Sequence, residues 1–143
     1  MARLLPGMAV RVRRGRRRDF AQVRSLVDAD AGARLERVFR RIVADLGTDV
    51  YVAESGDGEI VGLVAVTYAR SLLRGGISAV LDGARTRRER AVLDGLVAFA
   101  EERARKRGCD RLTAWVAPDD ADLRATLVAR GYRAGELLVA ELA

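Results

Sequence analysis

Residues 75–108 place the strongest constraint on how this chain can fold, because they join a short apolar run, an arginine-rich turn and a long amphipathic pattern. Apolar residues at helical spacing predict a helix over the second half, at Val92, Leu93, Leu96, Val97, Phe99 and Ala100. Gly108 follows a basic last turn, where glycine commonly ends a helix. A strand that enters a helix through a basic turn gathers backbone N–H groups and positive charge. This stretch therefore favours a phosphate group as its ligand.

Length and composition favour one globular domain, since the chain has 143 residues, of which 50% are hydrophobic and 32% charged. We predict that residues 8–143 form this domain and that residues 1–7 are a loose leader. No apolar run approaches the roughly 20 residues that span a bilayer, and the start has no signal-peptide core, so we expect a cytoplasmic protein without membrane contact. Cys109 is the only cysteine and histidine is absent, which predicts no internal disulfide and no metal site of the ordinary zinc kind.

Positive charge is concentrated at the start of the chain. The formal net charge is +6, and the first 18 residues contain seven arginines and no acid. A basic arm that binds nucleic acid is one interpretation, and an arginine-rich first strand is the other. Aromatic residues are few and none lies within the basic run, so base stacking has little support. Nucleic acid is therefore disfavoured as a partner.

The remaining patterns predict the order β, α, α, β, β, β, α, β, α, β. Asp19 and Gln22 have the spacing of a capping box at the first helix. Ser55-Gly56-Asp57-Gly58 predicts a hairpin turn between two strands. A meander of three strands followed by a β-α-β unit requires both antiparallel and parallel pairing. The other predicted elements are a strand from Val10, helices over 31–46 and 120–130, and strands over 50–54, 59–68, 77–81, 111–117 and 132–142.

This order resembles the fold of the GCN5-related N-acetyltransferase (GNAT) superfamily from Met8 onward. The segment AEERARKRGCDRLTAWV resembles the family's passage from its third helix to its fifth strand. The segment DLRATLVARGYRAGE resembles its last helix, with Gly131-Tyr132 in place of the usual Gly-Phe step. The resemblance implies an α/β (α+β) domain with a mixed, mostly antiparallel sheet, a central parallel βαβ unit and helices on both faces.

The resemblance also implies acetyl-CoA as co-substrate. The strand around Leu81 and Gly83 would bind the pantetheine arm. The following turn and helix start would hold the pyrophosphate, through Arg87, Arg88, Arg90, Ala91 and Val92. In the family's pyrophosphate motif, Arg88 takes the first position, and Ala91 and Leu93 replace the two small residues, so both glycines are missing. Charge-assisted contacts from the arginines would offset that loss, and a solvated arginine turn is the alternative.

Candidate catalytic residues are fewer. Acetyl transfer needs a base near the attacking amine, and Asp82, at the end of the predicted strand, has the most suitable position. Glu54, Asp119 and Asp120 are weaker candidates, since each also fits a surface or capping role. Leu127 stands where many family members have a tyrosine acid. Tyr132 occupies a position usually filled by a packing aromatic.

Two functions follow from the resemblance. The first is an N-acetyltransferase that moves the acetyl group of acetyl-CoA to a primary amine of a small molecule or peptide. The alternative is a catalytically impaired pseudoenzyme that keeps the fold as a CoA-binding, protein-interaction or dimerisation module. A homodimer is compatible with both, because strands at the edge of such a sheet can pair with another chain.

Overall fold

A six-stranded sheet is the centre of the computed structural model, which describes residues 2–27 and 32–142. Residues that favour strands run through β3 and β4, and the buried parts of these two strands begin at their first residues, over 48–53 and 60–64. The strands are β1 (Ala2–Leu4), β2 (Val10–Arg14), β3 (Thr48–Ser55), β4 (Ile60–Ser71), β5 (Gly76–Thr86) and β6 (Leu112–Ala114).

The strands lie side by side in chain order. Each pair from β1 to β5 is antiparallel, and β6 pairs with β5 in parallel. The predicted mixed sheet is confirmed, but the parallel pair lies at the edge of the sheet rather than in its centre. The cause is that residues 132–142, which we predicted as a final strand, form no strand.

Helices cover both faces of the sheet, as predicted. They are α1 (Phe20–Val23), α2 (Gly32–Ala44), α3 (Arg90–Lys106) and α4 (Ala121–Ala129). Leu96 and Phe99 of α3 and Leu123 of α4 enter the core on one face, whereas Val23 and Phe39 pack on the other. The described residues contain no helix long and apolar enough to cross a bilayer.

Residues 2–7 do not form the loose leader that we predicted for residues 1–7. Ala2–Leu4 pairs with β2, and Leu5 is buried against α3. A Cβ added at Gly95 of α3 would lie 2.8 Å from the side chain of Leu5, so the helix and the leader are in close contact. The guanidinium of Arg3 also binds Glu102, and this hydrogen bond lowers the pKa of Glu102 to about 2. An apolar anchor and an ion pair thus hold the start of the chain on α3.

The predicted capping box at Asp19 is also wrong. The Asp19 carboxylate accepts two hydrogen bonds of 2.9 Å from Arg13 and one of 2.7 Å from the backbone N–H of Arg16. Gln22 instead accepts a hydrogen bond from the backbone N–H of Ile60. Ion pairs with acids occupy four of the seven N-terminal arginines: Arg3, Arg11, Arg13 and Arg14.

A buried carboxylate connects the sheet to the end of α3. Asp49 of β3 has 0% exposure, and its Oδ1 lies 3.1 Å from both Arg14 of β2 and Arg107, which follows α3. Its Oδ2 accepts a hydrogen bond of 2.8 Å from the hydroxyl of Tyr68 on β4. Burial and the hydrogen bond to Asp49 raise the pKa of Tyr68, so the hydroxyl keeps the proton that it donates. Three strands and one helix therefore meet at one carboxylate.

We expect Asp49→Ala to lower the free energy of unfolding by about 3 kcal/mol, because it leaves two guanidinium groups and a buried hydroxyl without their acceptor. Urea unfolding followed by circular dichroism measures this change. Glu36→Ala is the matched control, since it breaks an exposed ion pair with Arg40 and should cost less than about 0.5 kcal/mol. An equal loss in the two variants would contradict the assigned role of Asp49.

Candidate active site

The two parallel strands part at one point of the sheet. Their pairing runs from Ala79 with Leu112 to Leu81 with Ala114, and the N–H of Trp115 donates a last hydrogen bond of 3.2 Å to the carbonyl oxygen of Leu81. β5 continues to Thr86, whereas β6 ends at Ala114. Within the described residues, one edge of β5 beyond Leu81 therefore has no strand partner. Its backbone groups can hydrogen-bond a ligand.

A β-bulge lies at the same point. Leu81 pairs with Val66 and Gly83 with Ala65, so Asp82 has no partner on β4. A bulge of this kind re-aims a side chain. Asp82 is exposed, and its carboxylate makes no hydrogen bond or ion pair with the described residues. A Cβ added at the neighbouring Gly83 would meet no heavy atom within 4 Å, so the space beside the Gly83 backbone is open.

The turn between β5 and α3 is fixed to the neighbouring strand. The N–H of Arg87 and the hydroxyl of Thr86 each donate a hydrogen bond of 2.9 Å to the carbonyl oxygen of Val61 on β4. The Thr86 hydroxyl also accepts a hydrogen bond of 3.0 Å from the N–H of Arg88. α3 then begins after Glu89, whose side chain does not cap the helix. The helix N-terminus and its partial positive charge thus have a defined position.

The predicted phosphate-binding arginines make only weak contacts within the chain. Arg87 donates to the hydroxyl of Ser25 and lies 3.4 Å from Glu59, and Arg88 pairs with Glu89 at 3.0 Å. Arg90 is exposed and makes no hydrogen bond or ion pair with the described residues. Exposed ion pairs of this kind contribute about 0–1 kcal/mol, so a phosphate can displace them.

A cleft of about 390 Å³ lies beside this turn. Arg85 and Arg87 line it together with Leu93 of α3 and residues 25–26. Three carboxylates line it as well, at Asp119, Asp120 and Asp122 near the start of α4. Asp120 also caps α4, since its Oδ1 accepts a hydrogen bond of 3.1 Å from the N–H of Leu123. The cleft therefore places guanidinium groups and carboxylates around one small volume.

Solved structures share this arrangement of sheet and helices over nearly the whole chain. A transcriptional regulator from Bacillus halodurans is 25% identical, has a TM-score of 0.80, and aligns over 94% of this chain and 99% of its own. An aminoglycoside antibiotic 6'-N-acetyltransferase from Acinetobacter baumannii is 16% identical, with a TM-score of 0.76 over 94% and 97%. A GNAT family acetyltransferase from Staphylococcus aureus is 15% identical, with a TM-score of 0.74 over 95% and 100%.

The chain has the GNAT fold. No protein-family model and no curated protein sequence matches this chain, so the relationship is recognised at the level of structure.

The positions of the GNAT pyrophosphate motif divide between the surface and the core. Ala91 is exposed at the start of α3. Leu93 is buried and lies at the margin of the cleft, so its bulk enters the core. Val92 is fully buried, and its N–H donates to the carbonyl oxygen of Glu89 at 3.0 Å. Val92 therefore offers neither its side chain nor its N–H, and only Arg87, Arg88, Arg90 and Ala91 remain at the surface of the turn.

No tyrosine lines the cleft in the described part of the chain, although all three tyrosines are described. Leu127, at the position of the GNAT acid, is buried in the core. The hydroxyl of Tyr132 donates a hydrogen bond of 2.9 Å to Glu101, and burial together with this bond raises the pKa of Tyr132. Tyr51 is buried beside Phe99. We therefore assign none of these residues to proton transfer.

Among the weaker candidate bases, Glu54 forms ion pairs with arginines of β2 and does not line the cleft. It pairs with Arg13 at 2.7 Å and with Arg11 at 3.5 Å. Asp119 and Asp120 line the cleft, as noted above. Arg85 was among the arginines that the sequence interpretation expected at the phosphates, whereas Ser25 and Asp122 were missed as lining residues. The run Pro118-Asp119-Asp120-Ala121-Asp122 could have indicated the acidic wall, but Asp119 and Asp120 were interpreted only as weaker candidate bases or as a helix cap.

We expect Tyr132→Phe to lower the free energy of unfolding by about 1–2 kcal/mol, because Glu101 loses one of its hydrogen-bond donors. Burial alone would raise the pKa of Glu101, but the hydrogen bonds from Arg130 and Tyr132 outweigh it and lower that pKa. The loss should therefore be full at neutral pH and should shrink as the pH falls and Glu101 becomes protonated. Urea unfolding between pH 3 and pH 7 measures this. A loss that is the same at both ends of this range would contradict the proposed bond.

Proposed function

We propose that this protein is an N-acetyltransferase that transfers the acetyl group of acetyl-CoA to a primary amine. The observation that carries the proposal is the parting of β5 and β6 after Leu81, directly beside the bulge at Asp82. It leaves an unpaired strand edge and an exposed carboxylate on β5, the strand that leads into the N-terminus of α3. The similar structures include proteins described as acetyltransferases, which supports the same chemistry here.

The chain's own groups fit the parts of acetyl-CoA. The unpaired backbone of β5 beyond Leu81, including Gly83, can pair with the amide groups of the pantetheine arm as a further strand would. The start of α3 can receive the pyrophosphate, with Ala91 leaving room at the helix surface and Arg88 and Arg90 supplying charge. Arg87 can turn from Glu59 to the ligand, because that exposed pair is weak.

The three aspartates of the cleft limit where the phosphates can bind. Asp119, Asp120 and Asp122 would repel a pyrophosphate placed against the start of α4. The arginine side of the opening, toward Arg88 and Arg90, carries no such opposition apart from Glu89. We therefore assign the phosphates to the exposed start of α3 and the uncharged pantetheine to the cleft.

The reaction forms a bond between the amine nitrogen and the acetyl carbon and breaks the bond between that carbon and sulfur. The attacking amine must lose a proton, and we assign the carboxylate of Asp82 as the acceptor. The departing sulfur must gain a proton, and the described cleft contains no tyrosine to supply it. Water therefore protonates the sulfur, and much of the rate must come from holding the two substrates in contact.

Isothermal titration with CoA tests the binding site. The triple variant Arg87→Ala, Arg88→Ala, Arg90→Ala should bind CoA at least about tenfold more weakly, since charge-assisted hydrogen bonds contribute roughly 1.5–3 kcal/mol each. The matched control is Arg34→Ala, Arg37→Ala, Arg41→Ala on α2, which removes the same charge from exposed positions that do not line the cleft. Equal weakening in both triples would reduce the effect to net charge, and no heat with the unchanged protein would refute the proposal.

Thiol release from acetyl-CoA in the presence of a polyamine, an aminoglycoside or a peptide with a free N-terminus tests the chemistry. With an accepted amine, Asp82→Asn should lower kcat/KM by about 10²–10⁴-fold and should leave CoA binding unchanged. Asp57→Asn, in the exposed hairpin turn, is the control and should have no effect. Unchanged activity of Asp82→Asn would remove Asp82 as the base. Binding of CoA without turnover of any amine would favour the pseudoenzyme alternative.

A further inference from the structure

The outer side of α2 carries arginines that have no partner among the described residues. Arg34, Arg37 and Arg41 recur at spacings of three and four residues, so they lie on one side of the helix. All three are exposed, and none forms a hydrogen bond or ion pair with the described residues. α2 packs on the sheet through Phe39, which is buried in the core on that face. The arginine side of α2 therefore faces solvent.

A second basic element lies against α2. A short 3-10 turn, Arg17–Asp19, contacts α2 directly. The α1 helix that follows this turn also packs on α2, with 5.7 Å between the ring centroids of Phe20 and Phe39. Arg17 and Arg18 are exposed and form no hydrogen bond or ion pair with the described residues. Together the turn and the helix form a surface, here called the basic face, that consists of Arg17, Arg18, Arg34, Arg37 and Arg41.

No free carboxylate balances the basic face within residues 16–27 and 32–44. The acids of these two ranges are Asp19 and Glu36. Asp19 is 4% exposed and is bound by Arg13, and Glu36 forms an ion pair with Arg40. The arginines of the basic face therefore keep their full positive charge, unlike the four N-terminal arginines that are paired with acids.

The spacing of these charges fits a row of phosphates. Arg34 and Arg41 are seven residues apart, which corresponds to about 10 Å along an α-helix. One strand of a nucleic-acid duplex carries a phosphate about every 3.4 Å along the duplex axis, so this distance spans about three phosphates. Guanidinium groups bind phosphate oxygens through paired, charge-assisted hydrogen bonds. The arginines of α2 can therefore follow the backbone of a duplex.

The side chains around these arginines distinguish among anionic partners. Val38, at 45%, is the one large apolar residue of the turn, α1 and α2 that is exposed, and neither Phe20 nor Phe39 is exposed. A membrane-binding helix offers its apolar side to the bilayer, but the apolar side of α2 packs on the sheet. Protein interfaces are centred on apolar and aromatic anchors, and single strands stack on aromatic rings. The backbone of a duplex requires none of these.

We propose that the basic face binds the phosphate backbone of a nucleic-acid duplex without reading its base sequence. The lack of aromatic residues in the basic run of the sequence disfavours stacking on bases, whereas binding to a backbone depends on charge. None of the five arginines lines the cleft or belongs to the turn assigned to the phosphates of acetyl-CoA. The proposed binding is therefore separate from acetyl transfer.

Fluorescence anisotropy with short labelled duplexes of DNA and of RNA, at about 50 mM salt, tests the proposal, and we expect dissociation constants in the micromolar range. The triple variant Arg34→Ala, Arg37→Ala, Arg41→Ala should weaken binding at least about tenfold. The slope of the logarithm of affinity against the logarithm of salt concentration should also become shallower by about 2–3, since each phosphate contact contributes about 0.9. Binding of either duplex supports the proposal, and the tighter one identifies the nucleic acid.

The matched control is Arg111→Ala, Arg124→Ala, Arg133→Ala, which removes the same charge from exposed arginines that form no ion pair with the described residues. It should weaken binding much less. Equal weakening in the two triples would reduce the effect to net charge and overturn the proposal, as would the absence of binding to both duplexes. Circular dichroism of each variant confirms that it is folded.

Two competing ligands separate a duplex from other anionic partners. Polyglutamate represents an acidic protein, and vesicles of anionic lipid represent a membrane surface. We expect both to bind more weakly than the duplexes, and equal or tighter binding of either one to the basic face would overturn the proposal. The α2 triple should still bind CoA, so a failure of this proposal is distinguishable from a failure of the proposed acetyltransferase function.

Discussion

The position of the candidate site depends on the buried carboxylate of Asp49, because this carboxylate holds α3 on the sheet. It joins Arg14 of β2, Tyr68 of β4 and Arg107 at the end of α3, so it fixes one end of the helix to the sheet. Arg107 also stacks over the ring of Tyr68, with 4.2 Å between guanidinium and centroid. At the other half of the helix, a Cβ at Gly62 of β4 would lie 3.0 Å from Leu96 and 2.9 Å from the carbonyl oxygen of Arg85. The missing side chain lets α3 approach the sheet closely.

Because α3 is held at two places, its two ends can serve different purposes. Its N-terminal turn borders the cleft through Leu93, and its C-terminal part borders a second cavity, of about 1090 Å³, through Glu101, Ala104 and Arg105. A change in how the helix lies on the sheet would therefore alter both. The leader adds a third contact, since Leu5 packs at Gly95, between the two regions. The first residues of the chain thus stabilise the element that carries the proposed site.

The elements that the sequence predicted best are those that local rules determine. The long helix ends as expected, with Gly108 at a φ of +86°, and the hairpin turn contains Gly58 at +87°. The end of β5 could not be predicted in this way. Gly83 and Ala84 have little strand preference, and they are extended because they pair with Ala65 and Val64 of β4. The predicted strand therefore stopped at Leu81, and the bulge beyond it is a property of the pairing.

Side-chain partners were the least predictable part of the site. The arginine turn was expected from its residues, but Arg87 contacts Ser25 and Glu59, which are 62 and 28 positions away in the sequence. The prediction of a last strand over residues 132–142 was wrong for a related reason. Its residues favour a strand, but a strand also needs the edge of another strand to pair with. The contacts of Arg130 and Tyr132 with Glu101 hold the start of the segment against α3, and the segment does not pair with β6.

The charge pattern of the cleft has a consequence for the direction from which each of the two proposed substrates would approach. Arg88 and Arg90 lie at the exposed start of α3, whereas Asp119, Asp120 and Asp122 lie at the start of α4. An anionic ligand is attracted to the first group and repelled by the second, so its phosphates stay outside the cleft while its neutral arm enters. A cationic amine has the opposite preference. The same few charges can therefore orient one ligand and attract the other to the cleft.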